Sequence, residues 1–427
     1  MKNLSDEDSW KLFSFYAFRD RKENRAPSHL IEMGREIVKQ CGNLALALKT
    51  TAASLASNTD LRKWETKHRQ LEKAVIPIGE HDPVMDILKL SYDSLPAHLK
   101  ACFAYFSFFP EDENINCEFL VNLWIGEGFI PAGEEQWDMA WDWLDQLVQL
   151  CLLQPWENKE YNLNDEERLI KYCSIHDLLH DLSIHISREN ECIFSVEEVS
   201  THTSGVSGWC RILLAKKDVN DNAISSISHS CPVYLCTFSL SQNMEITSIP
   251  ANLFTAMRGL RILDLSSTSI STLPASIGKM ILLKVLNLRR TKIKEVPECL
   301  RHLKSLLFLG IHWNCKSIPA WISELKCLQH LECERVDCMP KGISKLASLR
   351  TLRSRWLDLS IKEDEFMTLE DFANMTQLQE LWLNINHEIE LKKMEEGVLV
   401  QLTKMRHLSI SLKLQSNFPS FPNFQRK

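Results

Sequence analysis

The chain has 427 residues, with 49 Lys+Arg against 56 Asp+Glu and a formal net charge of -7 at pH 7. Its length favours several domains, because single hydrophobic cores stop growing beyond about 250–300 residues. The negative net charge disfavours a nucleic-acid-binding module. With 44% hydrophobic and 25% charged residues, the composition is that of globular proteins and excludes wholesale disorder.

Neither a membrane helix nor a secretory signal is predicted. The longest apolar stretch, residues 101–110, is far shorter than the ~20 residues that a membrane helix needs, and residues 1–10 contain no apolar signal segment. Fourteen cysteines are too few for a disulfide scaffold in a chain of this length. We therefore expect a soluble, cytoplasmic protein with reduced thiols.

The first two hundred residues have apolar residues at helical spacing. Trp10, Phe13 and Ala17 follow a Ser/Asp start at i, i+3 and i+7, and Gly42 interrupts the next apolar stripe. These patterns predict a mostly helical region. The Ser-, Thr- and Gly-rich segment 196–209 is the predicted boundary between this region and the second half of the chain.

The second half of the chain is repetitive. Residues 260–274 and 283–297 share the pattern LxxLxL at an offset of 23 residues, which is typical of leucine-rich repeats. Further copies begin at Leu306, Leu328, Leu349, Leu378 and Met405, with earlier ones at Trp209 and Leu235. Seven to nine short parallel strands are therefore predicted, stacked as a solenoid, with the prolines that close several repeats on the convex side.

In this pattern, the residues between the leucines face outward on the concave side of the sheet. They provide a candidate interaction surface: Phe308, His312, Glu332, Glu334, Arg353, Arg355 and Trp382. Because neighbouring strands lie ~4.8 Å apart, Glu332 and Glu334 are expected to form cross-strand pairs with Arg353 and Arg355, beside exposed aromatic residues. If the surface binds a partner, reversing both arginines to Glu should abolish binding and leave the melting temperature nearly unchanged. The alternative is that the charges merely solvate the strands.

The sequence contains no catalytic constellation. His176 and His180 lie four residues apart, as in the HExxH zinc helix, but Asp177 replaces the glutamate and no third ligand is marked by spacing. There is no GxxxxGK[ST] phosphate loop. We therefore predict neither an enzyme nor a metal site, and a metallohydrolase is the disfavoured alternative.

Four segments, 6–18, 41–55, 88–130 and 174–183, resemble consecutive motifs of the plant nucleotide-binding leucine-rich-repeat disease-resistance proteins, and the repeats come after them in the order that this family has. The resemblance implies an α+β multidomain fold. Its parts are a helical bundle at 1–75 and a winged-helix domain at 80–195, followed by an α/β leucine-rich-repeat solenoid at 205–427.

The same resemblance implies a nucleotide-dependent switch. The family's Met-His-Asp motif is matched by Ile175, His176 and Asp177, so His176 and Asp177 are the expected remnant of an ADP contact. The segment 42–46 matches another nucleotide motif without its proline. In the family, the phosphate loop lies before the first motif. We therefore expect a truncated chain that lacks this loop. No cofactor is then expected to bind tightly, whereas an intact family member would use ADP and ATP.

By this resemblance the chain is an intracellular plant immune receptor, or a truncated form of one, that acts by protein recognition. The expected partners are a pathogen effector or a guarded host protein, and the chain's own helical half, with neither nucleic acid nor a membrane span involved. The alternative is a leucine-rich-repeat adaptor such as a ubiquitin-ligase substrate receptor, because residues 93–110 faintly resemble an F-box.

Overall fold

The structure is a computed structural model that divides into two compact units, Met1–Asn190 and Glu191–Lys427. It describes residues 4–19, 26–56, 58–75, 83–133, 135–156, 171–190, 193–196, 212–214, 219–227, 235–311, 318–333, 336, 338–354, 365–385 and 399–412. Among these residues, none of the helices is long and apolar enough to cross a membrane.

The first unit begins with a bundle of α-helices. They are α1 (Asp6–Ala17), α2 (Ser28–Gln40), α3 (Ala45–Leu55) and α4 (Leu61–Val75). The Ser5 side chain accepts a hydrogen bond from the backbone amide of Asp8 at 3.1 Å, which caps α1. Phe13 packs edge-on against Trp64, and both rings are fully buried. Gly34 allows α2 to approach α1, since a Cβ there would lie 2.8 Å from the Trp10 ring.

The rest of the first unit combines further helices with a small antiparallel sheet. The helices are α5 (Pro83–Asp93), α6 (Ala97–Ala104), α7 (Cys117–Glu127), α8 (Gln136–Gln149) and α9 (Asp177–Glu189). The strands are β1 (Ile115–Asn116), β2 (Gln154–Pro155) and β3 (Tyr172–Ser174), in the order β1-β3-β2. This arrangement agrees with the predicted winged-helix domain.

Among its described residues, the second unit forms a parallel sheet of ten strands in sequential order. The strands are β4 (Ile193–Ser195), β5 (Ile212–Leu214), β6 (Thr237–Ser239), β7 (Ile262–Asp264), β8 (Val285–Asn287), β9 (Phe308–Ile311), β10 (His330–Cys333), β11 (Thr351–Ser354), β12 (Glu380–Ile385) and β13 (His407–Leu412). The leucines of the repeats form one continuous core beneath this sheet.

Short helices alternate with the strands. They are α10 (Asp221–Ile227), α11 (Ala251–Ala256) and the 3₁₀ helices Ala275–Lys279, Glu298–His302, Ala320–Glu324, Lys341–Lys345 and Leu369–Asn374. Pro250, Pro274, Pro297, Pro319 and Pro340 each occupy the residue before one of these helices. Proline suits this position because its fixed φ is compatible with the start of a helix and its missing N–H has no partner there to lose.

The structure places the boundary of the repeats earlier than predicted. Strand β4 pairs with β5 in the repeat sheet, so Ile193–Ser195 belongs to the repeats and not to a winged-helix domain that ends at 195. The division falls between Asn190 and Glu191, ahead of the predicted start at 205. The described residues thus contain ten repeat strands, against the seven to nine expected.

Candidate functional site

The concave face of the repeat sheet carries a row of residues, most of them polar, that lie opposite one another across successive strands. The row consists of Asp264, Asn287, Gly310, Glu332, Arg353 and Trp382. Each occupies the same position in its repeat, so the stacking of parallel strands aligns them. The row therefore places charges from distant parts of the sequence side by side.

Arg289 crosses one strand to reach this row. Its Nε donates to the Asn287 Oδ1 at 3.0 Å, and its Nη1 donates to the Glu332 Oε2 at 2.7 Å. The strand between them presents Gly310, where a Cβ would lie 3.0 Å from the Asn287 Oδ1 and 3.1 Å from the Arg289 Cγ. The absence of a side chain at Gly310 thus leaves room for the Arg289 side chain.

Arg353 lies between two carboxylates. Its Nη1 donates to the Glu332 Oε1 at 2.9 Å, and its Nη2 donates to the Glu380 Oε2 at 2.6 Å. We call the alternating series Arg289, Glu332, Arg353 and Glu380 the charge ladder. Its side chains are 10–25% exposed, so they form a half-buried network rather than isolated surface pairs.

Aromatic rings pack against both arginines of the charge ladder. The Arg353 guanidinium lies 5.6 Å from the centre of the Trp382 ring, and that of Arg289 lies 5.7 Å from the centre of the Phe308 ring. These distances are within the range of cation–π attraction. Phe308 is fully buried, however, so the expectation that it is an exposed contact residue is wrong. It supports Arg289 from within the sheet.

Asp264 extends the row toward the N-terminal repeats. Its Oδ1 accepts a hydrogen bond from the backbone amide of Ser266 at 2.9 Å. Burial raises the pKa of this carboxyl above its ordinary value, although the hydrogen bonds from Ser266 and the charge of Arg289 act in the opposite direction. The negative charge of Asp264 is therefore disfavoured in the folded protein.

The structure contains the predicted cross-strand pair of Glu332 and Arg353, and it adds Arg289 and Glu380, which the sequence analysis did not select. Arg289 comes two residues after its strand's member of the row and Glu380 two residues before, so both lie at outward positions of the LxxLxL pattern, and their charges were the available signal. His312, Glu334 and Arg355 lie outside the described residues. The Arg353 side chain is 22% exposed and bound to two carboxylates, which argues against the expectation that charge reversal there leaves stability unchanged.

The histidines of the 174–183 segment have separate structural roles. His176 precedes α9, and its Nδ1 accepts a hydrogen bond from the backbone amide of Leu178 at 3.3 Å. His180 is buried, and its Nε2 donates to the backbone carbonyl of Phe109 at 2.9 Å. Asp177 is exposed at the first position of α9. Within the described part of the chain, no group of three or more His, Cys, Asp or Glu side chains is placed to hold a metal ion.

The segment that matches the family's other nucleotide motif forms the turn between α2 and α3. Gly42 and Asn43 both have positive φ, at 61° and 59°. Asn43 donates to the Asp6 carboxylate at 2.9 Å, and Leu44 is the residue before α3. The turn therefore ties α1 to the start of α3.

Two protein families match parts of the chain. Residues 108–183 match the "Disease resistance protein Winged helix domain", and residues 219–426 match the "Leucine-rich repeat region". The first range contains β1 to β3 and most of α9, and the second contains the charge ladder. The two descriptions thus correspond to the architecture of the two units.

Relatives from Arabidopsis thaliana match along most of the chain. It is 28% identical to disease resistance RPP13-like protein 4 over 96% of the chain and 47% of that protein. It is 29% identical to disease resistance protein RPS5 over 86% of the chain and 43% of that protein. The chain spans less than half the length of these relatives.

Solved structures also resemble part of the chain. Internalin C2 from Listeria monocytogenes matches 51% of this chain and 90% of its own, with 16% identity and a TM-score of 0.38.

Proposed function

Because this chain belongs to the plant disease-resistance proteins that combine a winged-helix domain with leucine-rich repeats, we propose that it acts in plant defence by recognising a protein on the concave face of its repeats. The charge ladder carries this proposal. Pathogen-derived proteins and host proteins that they modify are the expected ligands.

The charge ladder suits protein recognition because its charges are held in fixed positions before a partner arrives. Arg353 is bound by two carboxylates and Arg289 by one, and each lies against an aromatic ring, so little side-chain entropy remains to be lost on binding. Trp and Arg are enriched among the residues that dominate binding energy at interfaces. Alternating charges also select a partner with the complementary pattern and disfavour others.

The proposal can be tested with two concave variants and one convex control. Trp382→Ala removes the ring against Arg353, and Glu380→Gln removes one charge while conserving shape. Lys341→Ala, an exposed residue on a 3₁₀ helix, is the control. Captured proteins from challenged plant tissue should include one that binds wild type and control equally but binds both concave variants at least about tenfold more weakly. Identical capture by all four proteins would contradict the proposal.

We also propose that His176 and Asp177 are the remnant of an ADP contact. The imidazole Nδ1 accepts from Leu178, so the ring proton is on Nε2 and can donate to a phosphate oxygen near the positive end of α9. The carboxylate of Asp177 opposes a phosphate, and tight binding needs a loop of backbone donors and a lysine. Calorimetric titration should therefore give weak or undetectable ADP binding, and His176→Ala should weaken any that is found. Submicromolar affinity would contradict this.

The proposal includes a cytoplasmic location and no catalytic activity in this chain. The described cysteines are free thiols, which is compatible with a reducing compartment. For the adaptor alternative, residues 93–110 contain the last residue of α5, all of α6 and the 3₁₀ turn Tyr105–Phe108, and the winged-helix match begins at 108. Capture of ubiquitin-ligase scaffold subunits by the chain would favour the adaptor instead.

A further inference from the structure

One flank of the repeat sheet is strongly basic although the whole chain is acidic. The flank consists of the six residues that precede each strand from β7 to β13, from 256–261 in the first repeat to 401–406 in the last. These seven segments contain ten Lys and Arg and a single acidic residue, Glu324. We call this surface the basic flank.

Backbone hydrogen bonds show that the seven segments stack on one side of the sheet. The amide of Lys284 donates to the carbonyl of Arg261 at 2.8 Å, and the amide of Arg350 donates to the carbonyl of Gln329 at 2.7 Å. The same contact links Arg406 to Gln379. Seven strands at a spacing of ~4.8 Å extend about 29 Å, so the basic flank is a continuous strip.

The second and fifth residues of each segment are the Leu or Met side chains that fill the core, and the other four face away from it. Lys279, Lys304, Lys326 and Lys345 are all exposed. Lys304 is paired with Glu324 at 3.1 Å, so its contribution to the surface charge is reduced. The excess of positive charge on the basic flank therefore does not depend on any one residue.

An exposed apolar pair interrupts the cations. Ile281 is 63% exposed and Leu282 is 48% exposed, between Lys279 and Lys284. The corresponding residues of the neighbouring repeats are Arg258 and Gly259 on one side and Lys304 and Ser305 on the other. Adjacent exposed aliphatic side chains within a basic strip are the combination used by surfaces that adsorb to anionic lipid.

From this combination we infer that the basic flank adsorbs to a membrane surface rich in anionic phospholipid, with Ile281 and Leu282 inserted among the headgroups. In a curved stack of parallel strands, the sheet lines the concave side and the turns form the two flatter sides. A flat strip of cations can face a planar bilayer. This contact would leave the charge ladder, on the concave side, accessible to a protein ligand.

The test uses the full chain and sedimentation with two kinds of vesicle, pure phosphatidylcholine and phosphatidylcholine with about one-third phosphatidylserine. The protein should bind the anionic vesicles at least about tenfold better, since each cation near such a surface is worth about fivefold in partitioning. Raising the salt concentration should weaken the binding because it shortens the range of the charges. Failure of the wild-type chain to bind anionic vesicles at low salt would overturn the inference.

Two triple variants with the same net charge distinguish an effect of the basic flank from an effect of net charge alone. Lys279→Glu, Lys326→Glu and Lys345→Glu together should reduce binding at least about tenfold. Lys292→Glu, Lys294→Glu and Lys341→Glu change the net charge equally at exposed positions outside the basic flank and should have little effect. An equal loss in both would show that only net charge matters. Replacing the three flank lysines by Gln repeats the test if the Glu variant does not fold.

A third variant and a competitor complete the test. Ile281→Ser with Leu282→Ser should weaken the vesicle binding that remains at high salt, without changing the charge. Soluble polyglutamate tests the alternative that the basic flank binds an acidic protein. If polyglutamate binds the basic flank and anionic vesicles do not, the flank contacts an acidic protein and the membrane assignment is wrong.

Discussion

Arg353 is the residue on which the charge ladder most depends, because it joins Glu332 to Glu380. Replacing it with Glu would bring three carboxylates together in a half-buried site. We expect Arg353→Glu to lower the free energy of unfolding by about 2 kcal/mol, less than for a fully buried pair because the network is partly solvated. Urea denaturation measures this.

Lys345→Glu is the control for that substitution. It makes the same change in charge at an exposed position of the same unit and should alter the free energy of unfolding by less than about 0.5 kcal/mol. Equal stability of the Arg353 and Lys345 variants would mean that the charge ladder contributes nothing measurable to the fold.

Asp264 supplies a pH-dependent prediction. Burial raises its pKa above the ordinary 3.8, so ionisation costs stability in the folded state. The cost appears as pH rises from 3.8 through the raised pKa and is complete above it. Asp264→Asn removes the cost and conserves the acceptor for the Ser266 amide, as Asn287 does one repeat later for the Arg289 amide. The variant should therefore be more stable than wild type at pH 7 and lose that advantage below pH 3.8.

Asp221 is a control, because its pKa is shifted in the opposite direction to that of Asp264. Although burial alone raises its pKa, hydrogen bonds from Thr247 and Ser248 outweigh that effect and lower it. Asp221→Asn should therefore destabilise the protein at pH 7 by removing an interaction that is lost as pH falls. Parallel urea titrations at several pH values distinguish the two residues. An Asp264 variant less stable than wild type at pH 7 would show that the attraction of Arg289 outweighs burial.

The sequence could predict which residues share the concave face but not how deeply they are buried. The alternation of inward and outward side chains along each strand predicts that Phe308, His330 and Glu332 face outward. In the structure all three are buried. The reason is the short distance between parallel strands, which lets long side chains of one repeat cover those of the next. Such shielding depends on the neighbouring repeats and on Gly310, so no single repeat reveals it.

At the scale of elements, polar contacts hold α9 to the residues that flank the 3₁₀ turn Tyr105–Phe108. His180 donates to the Phe109 carbonyl at 2.9 Å, and the Ser187 hydroxyl donates to the Ala104 carbonyl at 2.9 Å. His180→Ala leaves the Phe109 carbonyl without this donor and opens a small void. We expect a loss of about 2 kcal/mol in the free energy of unfolding of the first unit.

His185→Ala is the matched control, since His185 lies on the same helix with a 55% exposed side chain. Its loss should leave stability within about 0.5 kcal/mol of wild type. The metal-site alternative makes a different prediction, namely that zinc is present in wild type and released by His180→Ala. Elemental analysis alongside thermal denaturation separates the two interpretations.

The spacing of His176 and His180 suggested one helix face, and it could not reveal that His176 precedes the helix. Its imidazole accepts the Leu178 amide in place of the Ser, Thr, Asp or Asn side chain that usually caps a helix. In contrast, the helix start at Ser5 was predicted, because there the capping residue is of the common type. Sequence patterns thus locate helix ends best where the cap is conventional.

At the scale of the whole molecule, the repeat sheet is a one-dimensional stack in which each strand pairs with its neighbours in sequence. The LxxLxL pattern predicted most of these strands because each repeat contributes the same buried positions. Strand β4 was missed since Ile193–Ser195 has no such pattern and is recognised by its pairing with β5 alone. The first strand of a stack is where repeats depart most from their consensus.

That first strand leads to a prediction about two fragments, 191–427 and 205–427. Val196, directly after β4, is fully buried in the repeat core, and β4 covers the edge of β5. A fragment that begins at 205 lacks both and exposes an unpaired strand edge, which favours aggregation. The 191–427 fragment should therefore melt cooperatively at a higher temperature and elute as a monomer more completely than 205–427. If scanning calorimetry and gel filtration find the two fragments indistinguishable, β4 does not cap the repeats and the boundary predicted at 205 is the better one.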